Sequence, residues 1–137
     1  AELLEKIQSR FWAGCCGDEA TEKTIREVWE RHSYLCDTHT AVAWNVAQQY
    51  EKAAESPDPM VVLPTASPYK FPAAVLSAIG AKCDGDEFDM MSALEKATGV
   101  PMPANLRSLR ERPVLHTGCV KPGKMRGYVL DLLEGKT

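Results

Sequence analysis

Several common signals are missing from this chain of 137 residues. No apolar run approaches the roughly 20 residues that cross a bilayer, and the start shows no charged-then-apolar leader pattern. Clustered Lys and Arg are missing too. The net charge is -3, and the basic residues are scattered. Binding to phosphate backbones needs a basic patch, so nucleic acid is excluded as the expected partner. The cysteines do not form a framework. There are five, Cys15, Cys16, Cys36, Cys83 and Cys119, an odd number at irregular spacing with no CxxC. They read as reduced thiols of a cytoplasmic protein rather than disulfides. His32, His39 and His116 add possible ligands, but no pair has zinc-site spacing. Asp84-Gly85-Asp86 lacks the alternating ligands and closing Glu of a calcium loop and reads as a surface turn. Repeats, low-complexity tracts and long linkers are absent as well.

What is present suits one soluble α/β domain. Hydrophobic residues are 45% and charged residues 26%, the balance of a globular protein. A chain of this size buries about two-thirds of its unfolded surface. It begins with Ala1 inside a helical pattern, which fits a processed piece as well as a complete protein.

The most informative stretch is Val61-Val62-Leu63-Pro64-Thr65-Ala66-Ser67-Pro68-Tyr69-Lys70-Phe71-Pro72. The spacing predicts a strand ending at Pro64, a tight turn, then a helix over 73–79 that stops at Gly80. Ligands of open α/β sheets sit at the carboxyl ends of strands. A threonine there offers a neutral donor and acceptor. The plainer alternative is that Thr65 only caps its own turn.

The rest reads mainly as helices. Residues 2–8 carry Leu3, Leu4 and Ile7 at helical spacing. Asp18 reads as the N-cap of a helix with Glu19 and Glu22 in its first turn, Ile25, Val28 and Trp29 on its apolar face and Arg31 and His32 near its end. Asp37 or Thr38 caps a helix running to about Ala54. Its start can meet an anion through free N–H groups, or simply be capped with His39 exposed. Ser56-Pro57-Asp58-Pro59 reads as a loop, and residues 90–97 as a short helix stopped by Gly99. Pro101-Met102-Pro103 reads as a rigid link and residues 106–112 as a helix with Arg107, Arg110 and Arg112 on a solvated face. Val114-Leu115-His116 is a candidate strand, and Met125, Val129, Leu132 and Leu133 mark a final amphipathic helix.

Two stretches, in this order, resemble the C-terminal part of threonine synthase. Asp37-Thr38-His39-Thr40-Ala41 matches the family's Asp-Pro-His-Thr-Ala at a helix start. Thr65-Ala66-Ser67-Pro68-Tyr69-Lys70-Phe71-Pro72 matches its Thr-Ala-His-Pro-Ala-Lys-Phe-Pro after an apolar strand. The helix opening at Gly17-Asp18-Glu19 and the Gly-Tyr-Leu-like Ser33-Tyr34-Leu35 are similar to the family as well. The resemblance implies a helix-rich α/β segment, residues 1–137, of a larger pyridoxal phosphate enzyme of the tryptophan synthase beta-like (fold type II) class. That enzyme converts O-phosphohomoserine and water to threonine and phosphate. By resemblance, Thr65 hydrogen-bonds the cofactor's pyridine nitrogen, and Asp37, His39, Thr40, Ser67 and Lys70 lie near the active site.

The sequence departs from the family pattern at two positions. Thr38 stands where Pro is usual, and Ser67 where His is usual. Lys70 matches the motif's lysine but not the lysine that anchors the cofactor. That lysine and the glycine-rich phosphate loop lie upstream in the family, and nothing here matches either. No catalytic residue is therefore assigned, and the segment alone is expected to be inert. Two rivals remain: a related pyridoxal phosphate lyase, and a free-standing interaction module without chemistry, with self-association compatible with a severed domain or an interface.

Overall fold

The computed structural model describes residues 2–54 and 58–136. Ser56 and Pro57 of the expected loop lie outside the described residues. Helices dominate. They are α1 (Glu2–Gln8), α2 (Asp18–His32), α3 (Thr38–Ala54), α4 (Pro72–Ala78), α5 (Glu87–Thr98), α6 (Ala104–Arg107) and α7 (Met125–Leu133). A 3-10 turn, Pro68–Lys70, precedes α4, and another, Ser108–Glu111, follows α6.

Four helices make the core. α2 turns Thr21, Thr24, Ile25 and Val28 inward, the spacing of one helical face. It packs on α3 and α4, and α4 packs on α5. Val75, Leu76 and Ala78 of α4 meet Met91 and Leu94 of α5 in the same cluster, with Trp29 half-buried against it. Polar ties add register. The Arg26 Nε donates to the Ala78 carbonyl at 2.6 Å, and Asn45 donates to the Thr24 hydroxyl at 3.1 Å.

Helix ends follow local chemistry. Pro72 occupies the first turn of α4, where its missing N–H costs nothing. Asp86 and Asp89 form a reciprocal capping box at α5, which ends on Gly99 at φ 70°. Asp18 is not the cap of α2 but its first helical residue. Gly17 precedes it and gives no side-chain bond. Negative charge in that first turn still meets the positive end of the helix dipole.

The strand half of the α/β expectation is not realised. Among the described residues there is no strand, and residues 59–65 and 114–116 carry no regular structure. A strand exists only as one side of a paired ladder. Neither segment has a neighbour to pair with among the described residues. Residues 106–112 do not form one helix either. α6 ends at Arg107, and the chain tightens into the 3-10 turn. The final amphipathic helix is present as α7, but it buries none of its residues. No helix is long and apolar enough to cross a membrane.

Candidate functional site

The first motif sits at the start of α3. Asp37 is the residue before the helix, and its carbonyl accepts the Ala41 N–H at 2.9 Å. Its side chain is buried and accepts from the His39 backbone N–H at 2.9 Å and from the Thr40 hydroxyl. The His39 Nδ1 lies 3.1 Å from the same carboxylate. With its proton on Nδ1, the ring donates to Asp37 and leaves Nε2 as an acceptor. Asp37 thus works as the cap and as the anchor of an exposed imidazole. His39 and Thr38 line an open cleft of about 570 Å³ with Cys16, Asp18 and Glu22 of the α2 start and Ala74 of α4.

The second motif forms the loop and 3-10 turn before α4. The Ser67 side chain accepts the Tyr69 N–H at 3.3 Å and so caps the turn. Tyr69 is buried, and its hydroxyl donates to the Val100 carbonyl. Burial pushes the Tyr69 hydroxyl pKa up, which keeps it a neutral donor. This bond fastens the turn to the segment after α5. A further clamp holds that segment. Glu95 accepts the Met102 N–H at 2.8 Å and the Arg107 guanidinium at 2.5 Å. Those bonds, the arginine's first, hold the Glu95 carboxyl below its ordinary pKa.

Between these two walls lies a cleft of about 420 Å³. Pro64, Thr65, Ser67 and Lys70 line one side, and Pro103, Asn105 and Leu106 the other. Thr65 is exposed, and its hydroxyl makes no hydrogen bond among the described residues. It does not cap its turn; Ser67 does. The Thr65 hydroxyl is therefore free to meet a ligand.

The six predicted residues fall in two groups. Thr65, Ser67 and Lys70 share one cleft. His39 lines the other, over the buried pair Asp37 and Thr40. The groups meet where the His39 ring packs on Phe71, with centroids 5.0 Å apart. Sequence reasoning missed Pro103, Asn105 and Leu106 as a cleft wall. They read as a link and a solvated helix, and nothing local announces a wall that is made by tertiary packing. A further cleft, about 710 Å³, holds none of the six and is lined largely by apolar side chains, among them Phe11, Trp12, Tyr50 and Leu63. Among the described residues, no three His, Cys, Asp or Glu side chains gather as a metal site.

A helix-bounded turn with an exposed threonine thus faces a second, clamped wall across an open cleft. Comparison with known proteins narrows this. The family model described as "Threonine synthase, C-terminal" matches residues 40–120. The match takes in the whole turn and both cleft walls and begins at Thr40. This chain belongs to that family. It is 38% identical over 72 residues to a threonine synthase of Methylobacillus glycogenes, covering 53% of this chain and 14% of the relative. It is 43% identical over 61 residues to a threonine synthase of Pseudomonas aeruginosa, covering 44% of this chain and 13% of the relative. Threonine synthase-like 1 of Mus musculus is 34% identical over 80 residues, covering 58% of this chain and 10% of the relative. The chain thus spans only a small part of the length of these relatives.

Proposed function

We propose that residues 1–137 are a C-terminal segment of a pyridoxal phosphate-dependent threonine synthase of the fold type II class, acting in the cytoplasm. The parent protein converts O-phosphohomoserine and water to threonine and phosphate. The observation that carries this reading is the family match across residues 40–120, which includes the Thr65 turn and the wall facing it.

The residues present fit the cofactor. Pyridoxal phosphate, when bound, supplies an electron sink for carbanion chemistry. Thr65 would hold the ring nitrogen through its free hydroxyl. A hydroxyl carries no charge, so it does not force that nitrogen to stay protonated as a carboxylate would. Electron withdrawal is then milder, and placement of proton donors and acceptors matters more. His39, fixed by Asp37 and Phe71, is the group near the turn best suited to hold or accept a proton, at Nε2. Asp37 and Thr40 position it from beneath. Ser67 caps the turn and gives no imidazole where the family pattern has one. That departure favours, as the second reading, a related pyridoxal phosphate lyase.

The test uses the complete protein that carries this segment. Phosphate release from O-phosphohomoserine should depend on added pyridoxal phosphate. Thr65→Ala should weaken cofactor retention about tenfold, the worth of one hydrogen bond. The segment alone should release no phosphate, and borohydride should fix no cofactor on Lys70. Stoichiometric fixation at Lys70 would overturn the assignment.

A further inference from the structure

Tyr69 stands where the quoted Thr-Ala-His-Pro-Ala-Lys-Phe-Pro pattern has the much smaller Ala. The exchange adds a ring and a hydroxyl at a position that is 2% exposed. The ring belongs to the same buried cluster as Met102. The hydroxyl donates to the Val100 carbonyl, 31 residues further along the chain. Between described residues this is the only hydrogen bond that joins the Thr65 turn to the stretch after α5. An alanine could not make it.

Both ends of the bond lead into the cleft walls. On the near side, Tyr69 lies between Ser67 and Lys70, and both of these line the cleft. On the far side, the chain runs from Val100 through Met102, which Glu95 holds, to the wall residues Pro103, Asn105 and Leu106. That wall is also tied to itself, since the Pro103 carbonyl accepts the Leu106 and Arg107 N–H groups at 3.0 Å. The polar groups facing the gap are unengaged. The Thr65 hydroxyl, the Lys70 ammonium and the Asn105 side-chain amide have no hydrogen-bond or ion-pair partner among the described residues. Apolar walls with a few free polar groups are the make-up of a small-molecule site.

We propose that Tyr69 is the positioning residue of the Thr65 site: its bond to Val100 fixes the Pro103–Leu106 wall opposite Thr65, so the cleft has its working width before a ligand enters. The ligand is the flat ring of the cofactor, and to that extent the inference rests on the reading under Proposed function. Tyr69 itself does not line the cleft and acts through the two walls. A wall held in advance loses little freedom on binding, which strengthens affinity without a new contact.

The test compares two conservative substitutions. Tyr69→Phe keeps the ring and removes the bond. Ile25→Val trims the core on α2, outside both walls. The two should lower the urea midpoint by similar amounts. In the 137-residue chain, Tyr69→Phe should speed amide exchange of Met102 on the far side and of Phe71 on the near side about tenfold, the worth of one hydrogen bond. Ile25→Val should change neither by more than about twofold. In the complete protein that carries this segment, Tyr69→Phe should weaken retention of pyridoxal phosphate about fivefold, and Ile25→Val should leave it unchanged. Equal effects of the two variants in either assay would make Tyr69 a plain core residue and overturn the proposal. So would an unchanged Met102 amide in Tyr69→Phe. Wild-type protein that retains no cofactor would overturn the reading under Proposed function and this inference with it. Wild-type retention that Tyr69→Phe leaves intact would overturn this inference alone.

Discussion

At the scale of the residue, Asp37 carries more than any other side chain. It is buried and answers the His39 amide, the His39 ring and the Thr40 hydroxyl. Replacing it with Ala removes the cap of α3 and leaves the Thr40 hydroxyl without its acceptor. The expected loss is about 2–3 kcal/mol, read as a lower urea midpoint. Asp37→Asn keeps an acceptor for the amide and should lose less. Its neighbour Cys36 makes a separate statement. Burial, with smaller help from the Asp37 charge, pushes its thiol pKa from 9.0 up to about 11. The folded state therefore keeps a proton that the unfolded state releases first. Stability should fall as pH rises from about 9 toward 11, and Cys36→Ser should flatten that slope. In the native state at neutral pH a thiol reagent should label exposed Cys15 and spare Cys36. Asp37 was legible as a cap because an acid followed by Thr-His-Thr before an apolar run is a helix start. Its burial was not legible, because that comes from the packing of α3 against α2.

At the scale of the element, helices were the readable part of the chain. α2, α3, α4 and α5 each show helical spacing, with glycine stops after α4 and α5, and those features are local. What depended on distant partners was not readable. The segment before Pro64 has strand residues and no ladder, and the wall at Pro103 and Leu106 follows a stretch that Tyr69 and Glu95 tie down from a distance at Val100 and Met102. One local feature gains its reason from the structure. Ser33 closes α2 in the left-handed region at φ 52°, donating its N–H to the Trp29 carbonyl at 2.9 Å. This is the position where the resembled Gly-Tyr-Leu pattern has glycine. A Cβ is strained there and glycine is not. Ser33→Gly should therefore stabilise the chain by about 0.5–1 kcal/mol, seen as a higher urea midpoint with unchanged slope. A midpoint that falls would show that the serine is held there by more than its place at the helix end.

At the scale of the molecule, two regions differ in kind. The four-helix core is packed, whereas every described residue from 109 onward is exposed. α7 carries Met125, Tyr128, Val129, Leu132 and Leu133 at the spacing of an apolar stripe, and all five lie open. It packs on the 3-10 turn Pro122–Lys124 just before it and adds nothing to the core cluster. Stability follows burial, so the core should not register the loss of this tail. Ending the chain after Val120 should leave the urea midpoint of α2–α5 unchanged, within about 0.5 kcal/mol. The same truncation should reduce binding of a dye that reports exposed apolar surface, because the stripe is open in the chain alone. A large drop in the midpoint would mean that α7 docks on the core in solution. An unchanged midpoint with reduced dye binding would separate the tail from the fold and leave its stripe as surface shaped for contact with something other than this core.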